Sequence, residues 1–193
     1  MGKYRIGMSR NKKGFTIIEV VLVLAIGGLI FLMVFIALPA LQRSQRNTQR
    51  RSDVDRVASA IIDYQKHNKG NLPFSNYNFD QKFATRYIDS NCVYDGRNNS
   101  SPAVGGTYVY VNCKEGFTDP DGSPYTIGVA RGRNQFPFIS DEQKWGDNHT
   151  IYVANESKCD SSKEDGTIYT GHERDFVVVY MLEGGSVYCK DNS

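Results

Sequence analysis

The residues best placed to do chemistry are few, and they are unevenly spread. Glu19 is a lone carboxylate with apolar residues on both sides. A carboxylate in a bilayer costs about 2.5–3.5 kcal/mol even on lenient insertion scales, so Glu19 calls for a positive partner or a snorkelling position at the membrane edge. Asp119 and Asp121 sit together in Phe117-Thr118-Asp119-Pro120-Asp121-Gly122-Ser123-Pro124-Tyr125, a turn with two carboxylates. An ordinary strand-connecting turn accounts for them; a hard cation such as calcium, which prefers oxygen ligands, is the sharper alternative. The spacing is not that of an EF-hand. His67, His149 and His172 lie among polar neighbours, and no GxSxG, HExxH, P-loop or paired zinc spacing is present. Catalysis therefore has no support, and no cofactor is expected.

Cys92, Cys113, Cys159 and Cys189 are the remaining reactive side chains. An even number in an exported domain suggests disulfides. Four cysteines allow three pairings, and the sequence alone does not choose between them. We favour the local pairs, Cys92–Cys113 and Cys159–Cys189, each closing a loop worth roughly 3 kcal/mol if unstrained. Buried thiols in a cytoplasmic domain are the alternative; no pair has the CxxC spacing of a metal or redox site.

The elements that must position these groups begin with Val20–Leu38, a run of 19 residues without charge or proline. As a helix it is about 28 Å long, close to the hydrocarbon thickness of a bilayer. Residues 1–14 carry Lys3, Arg5, Arg10, Lys12 and Lys13 and no acid, which hides the character of the remainder. Beyond them, 18 basic and 21 acidic residues balance to −3 against a whole-chain charge of +2. That gives no electrostatic reason to expect nucleic-acid binding. The apolar run is too long for an ordinary secretory signal, and no A-x-A-like site follows it.

Lys12-Lys13-Gly14-Phe15-Thr16-Ile17-Ile18-Glu19 resembles the processing site of type IV prepilins. The resemblance covers about residues 12–41. It implies that prepilin peptidase cuts after Gly14 and methylates the new amino terminus at Phe15. It also implies a partner for Glu19, the freed amine of Phe15 on a neighbouring subunit. An amine and a carboxylate sharing an apolar core largely neutralise each other. The departures are two. Many pilins have a proline nearer the glycine, whereas here Gly27 and Gly28 are followed by Pro39. In the family such a stretch can lose its helix inside the fibre, and residues 28–39 are the candidates; a simple kink is the plainer reading. Basic residues also flank both ends of the helix, so the positive-inside rule gives no orientation.

From Gln42 to Lys69 the chain lacks proline and glycine. Val54, Val57, Ala58, Ile61 and Ile62 recur at helical spacing and form a stripe suited to covering a sheet. Gly70 fits a helix stop, with Pro73 after it. The helix is expected over residues 16–69, on the order of 80 Å. Arg43, Arg46 and Arg50 fall on the same stripe. They read as a juxtamembrane cluster facing lipid phosphates or, alternatively, as contacts to acidic groups of adjacent subunits.

Residues 71–106 read as a loop-rich connection. Strands are expected at Thr107–Cys113, Tyr125–Ala130, Thr150–Ala154, Asp175–Leu182 and Ser186–Lys190, the last two flanking the hairpin signal Glu183-Gly184-Gly185. The expected class is α+β, a pilin-like long helix on an antiparallel sheet of four or five strands. The parts are a cleaved leader (1–14), an assembly half of the helix (15–41), an amphipathic half (42–69) and a head (70–193). The function implied is a subunit of a type IV pilus for adhesion, twitching motility or DNA uptake. Its partners would be copies of itself, prepilin peptidase, the membrane assembly machinery, the bilayer before assembly, and a surface or another cell. A pseudopilin of a type II secretion system and a single-pass anchored binding domain are the alternatives.

Overall fold

The computed structural model describes residues 14–75, 78–101, 106–130, 149–162 and 167–193. The chain divides into two compact units, one ending at Gln42 and the other Arg43–Ser193. A 51-residue helix, α1 (Ile17–His67), supplies all of the regular structure described in the first unit and the opening element of the second. In the first unit its apolar side chains, from Val20 through Leu41, face outwards with nothing covering them. This helix alone is long and apolar enough, among the described residues, to cross a membrane.

In the second unit the helical stripe meets its partner. Val54, Val57, Ala58 and Ile61 are buried almost completely, each such aliphatic contributing on the order of 1.5–3 kcal/mol. The helix ends in a Schellman turn. The Gly70 amide donates to the Gln65 carbonyl, and Lys69 and Gly70 are both left-handed, with φ of 57° and 84°. The stop thus falls one residue earlier than the glycine suggested.

The segment read as loop-rich holds more structure than expected. It contains β1 (Phe74–Ser75), β2 (Asn78–Phe79), the short α2 (Gln81–Phe83), a π-helical turn (Ala84–Ile88) and a ten-residue strand, β3 (Cys92–Ser101). There follow β4 (Gly106–Thr118), β5 (Pro124–Ala130), β6 (Thr150–Asn155), β7 (Ser157–Cys159), β8 (Ile168–Thr170), β9 (Phe176–Met181) and β10 (Val187–Asp191). The main sheet has six strands in the order β10-β9-β6-β5-β4-β3, against the four or five expected. All its pairs are antiparallel except β5 with β6, which run parallel. The α+β class, a long helix packed on a mostly antiparallel sheet, is as the sequence indicates.

Around β6 and β9 both faces of the sheet are covered. On one face Phe176, Val178, Tyr180, Ile127, Ile151 and Val153 join the α1 stripe in the main core. On the other, Tyr152, Ala154, Val177 and Val179 form a second cluster with Ile168 of the small β7–β8 hairpin. Strand β9 is buried on both sides, which is why its sequence runs Phe-Val-Val-Val-Tyr without alternation. Cys92–Cys113 joins directly opposed residues of β3 and β4. Cys159–Cys189 ties the small hairpin to β10.

Candidate functional site

The amino-terminal group is built by helix capping. Because α1 starts at Ile17, Thr16 is its N-cap and Glu19 its third residue, the T-x-x-E arrangement of a capping box. Glu19 Oε2 accepts hydrogen bonds from both the Thr16 amide and the Thr16 hydroxyl, each 2.8 Å long. Its second oxygen has no partner among the described residues. Gly14 has nothing within 4 Å of where a Cβ would stand, and Phe15 is 89 % exposed. The Gly14–Phe15 junction, where the prepilin resemblance implies cleavage, is open to solvent. Gly27, Gly28 and Pro39 all lie inside the continuous helix. Pro39 has no amide to donate, so the carbonyl of Phe35 loses its partner one turn back, but the free chain remains helical there.

In the head, Arg46 and Arg50 stand one helical turn apart and reach two turns of the sheet. Arg50 grips Asp119 with two hydrogen bonds of 2.7 Å and gives a third to Glu183. Arg46 binds Glu183 through Nε and Nη2 at 2.6 and 2.7 Å. Asn47 clasps the Glu183 backbone, its Nδ2 donating to the carbonyl and its Oδ1 accepting from the amide. The Tyr180 hydroxyl completes Asp119, donating to Oδ2 at 2.9 Å. Arg50 and Asp119 are 5 % and 2 % exposed.

The electrostatics follow from these contacts. Burial pushes the Asp119 carboxyl up, but hydrogen bonds from Arg50, the Asp121 amide and Tyr180 outweigh it and leave it below the ordinary carboxylate range. The Arg46 hydrogen bonds, with those of Arg50, hold Glu183 down at about 2. Asp119 raises the Arg50 guanidinium further. Burial, then the neighbouring Asp119 charge, pushes the Tyr180 hydroxyl up. The cluster is charged and closed at neutral pH.

Residues 9–35 match the family described as the prokaryotic N-terminal methylation motif. This chain carries the class III signal peptide of type IV prepilins. No curated protein and no solved structure gave a match. The methylation motif supports a type IV pilin-like or pseudopilin protein and points to a structural subunit. It implies processing by prepilin peptidase and assembly into a pilus. With the apolar helix it also fits membrane anchoring.

For Arg50 the structure corrects the reading of the arginines as groups facing lipid phosphates or adjacent subunits. Arg50 is spent inside its own head and offers no surface to a lipid or a neighbour. Arg46 is largely committed to Glu183, and Arg43, 3.8 Å from the same carboxylate, remains mostly exposed. The signal was present in the sequence, since Arg50 precedes Val54, Val57 and Ile61 on one stripe and therefore points into the core.

The calcium candidates fare differently from each other. Asp119, Asp121 and His149 bring ligand atoms within 4.8 Å of one another. Both Asp119 oxygens are already taken by Arg50, Tyr180 and the Asp121 amide. A dication would have to displace a guanidinium, so these residues do not fit a calcium site. Asp121 instead accepts from the Ser123 amide within its turn. His67 and His172 are exposed.

Proposed function

We propose that the protein is a structural subunit of a type IV pilus. After removal of residues 1–14 it is held in the membrane by α1, with the head outside, and is then extracted into an extracellular fibre. The carrying observation is the uncovered apolar first half of α1, whose one acidic residue, Glu19, keeps an oxygen without a partner among the described residues, just behind an open Gly14–Phe15 junction. The driving step is transfer of that helix from lipid into a bundle of identical helices. There the freed, N-methylated amine of Phe15 on one subunit meets Glu19 of the next, so that both charges lose water together. Residues 28–39, between Gly28 and Pro39, are where the helix would open in the fibre.

The reading is supported by the two disulfides, which suit a head exposed to an oxidising exterior. Its test is a strain in which Glu19 is replaced by alanine. Leader removal should proceed normally while surface filaments disappear. Abundant filaments from that variant would contradict the proposal. Deletion of the whole chain should remove filaments; loss of a secreted enzyme with filaments intact would instead make it a pseudopilin.

A further inference from the structure

We infer that the Cys159–Cys189 bridge is a thiol–disulfide exchange site on the folded head, open to a partner dithiol protein, and that its reduction unlatches the β7–β8 hairpin. This goes beyond the fibre reading and does not depend on it. The two bridges of the head differ in access. Cys92 and Cys113 have no exposed surface and lie in the main core with Ile88 and Phe117. A reductant does not reach their sulfurs while that core is closed. Cys159 and Cys189 are only half-buried, and both line an open cleft of about 530 Å³. Arg51, Lys190, Asp160 and Asp191 line it too, so its charge is balanced and access decides which bridge reacts.

A thiolate of the incoming dithiol attacks one sulfur of the bridge from the cleft and forms a mixed disulfide with it. The Cys159–Cys189 bond breaks, and the released cysteine takes a proton from water. The second thiolate of the dithiol then attacks its own partner's sulfur in the mixed disulfide, and the other cysteine leaves and is protonated in turn. Two electrons pass to the head, and the dithiol is oxidised to its disulfide. The hairpin depends on this bridge. Strands β7 and β8 have three residues each, and a two-stranded hairpin is marginal by itself. Ile168 is the one buried apolar side chain it adds to the second cluster among the described residues. Other ties are polar: the Cys159 amide donates to Asp191, and Lys158 Nζ lies 4.0 Å from Asp175. Cutting the bridge frees the hairpin from β10 and uncovers Tyr152, Val177 and Val179 behind Ile168.

The test uses the full mature chain in detergent micelles, without denaturant, with dithiothreitol as the probe dithiol. Samples are alkylated over time and the labelled cysteines mapped by mass spectrometry. Cys159 and Cys189 should be labelled at least about tenfold faster than Cys92 and Cys113, because exchange rates follow access. Hydrogen exchange on the singly reduced chain should speed up at least about fivefold at the β7–β8 and β10 amides, while α1 and the β3–β4 pair keep their protection. The double variant Cys159→Ala, Cys189→Ala should show the same local pattern without any reductant. Reduction of both bridges at one rate would overturn the proposal, since it would mean that the thiols are reached only by opening the whole head. Selective reduction that leaves hairpin exchange unchanged would overturn it equally.

Discussion

Glu19 and Asp119 are both carboxylates in surroundings that disfavour a bare charge, and the chain treats them in opposite ways. Asp119 is enclosed, and each of its oxygens is met from within the same head by Arg50, Tyr180 or a backbone amide. Glu19 stands at the start of an uncovered apolar helix, with one oxygen capped by Thr16 and the other left open. A buried charge that is fully paired belongs to a finished structure. On the function we propose, the half-paired charge of Glu19 is completed by the freed amine of a neighbouring subunit.

Mutations can break this comparison from either side. The largest effect is expected at Glu19. Its replacement by glutamine, which keeps the cap on Thr16 but removes the charge, should cut the yield of sheared filaments at least tenfold. Head unfolding in the same variant should be unchanged, as measured by thermal melting in detergent. Next comes Arg50→Ala, which strands Asp119 and should lower head stability by about 3–5 kcal/mol in urea titration. Pairing Arg50→Met with Asp119→Leu should recover most of that loss, because two apolar side chains replace two buried charges.

A smaller effect is expected from pH. Glu183 is held at about 2, below its ordinary 4.5, so it stabilises the head above about pH 4.5. That contribution should fade as the pH drops from 4.5 towards 2, and Asp119, also lowered, adds in the same direction. Glu183→Gln should flatten the fall in melting temperature across this window. The smallest effect is expected from Thr16→Val, which removes one capping hydroxyl. About 1 kcal/mol at the helix start is at stake, read as a modest loss of helicity in micelles, with filaments still formed.

The long helix was legible because its signals are local. Proline and glycine are absent from Gln42 to Lys69, and the Val54–Ile61 stripe repeats at helical spacing, so α1 was placed within two residues at either end. The β9–β10 hairpin was legible for the same reason, since Gly184 and Gly185 both adopt positive φ, at 98° and 85°. Strand β3 was not. Its Asp, Gly, Asn and Ser residues have poor strand propensity, and it is held by pairing with β4 and by Cys92–Cys113, which no local pattern reveals. The ionic cluster was hidden likewise. Its partners are separated by 69 to 137 residues, and the turn carboxylates Asp119 and Glu183 look like any other turn residues until the sheet brings them to α1.

On the function we propose, this chain is cut behind Gly14 and polymerises through the helix that follows. Mass spectrometry of protein sheared from the cell surface reads this directly. The account predicts a polypeptide beginning at Phe15, carrying one added methyl group, with both disulfides intact. Filaments built from chains that still begin at Met1 would contradict it.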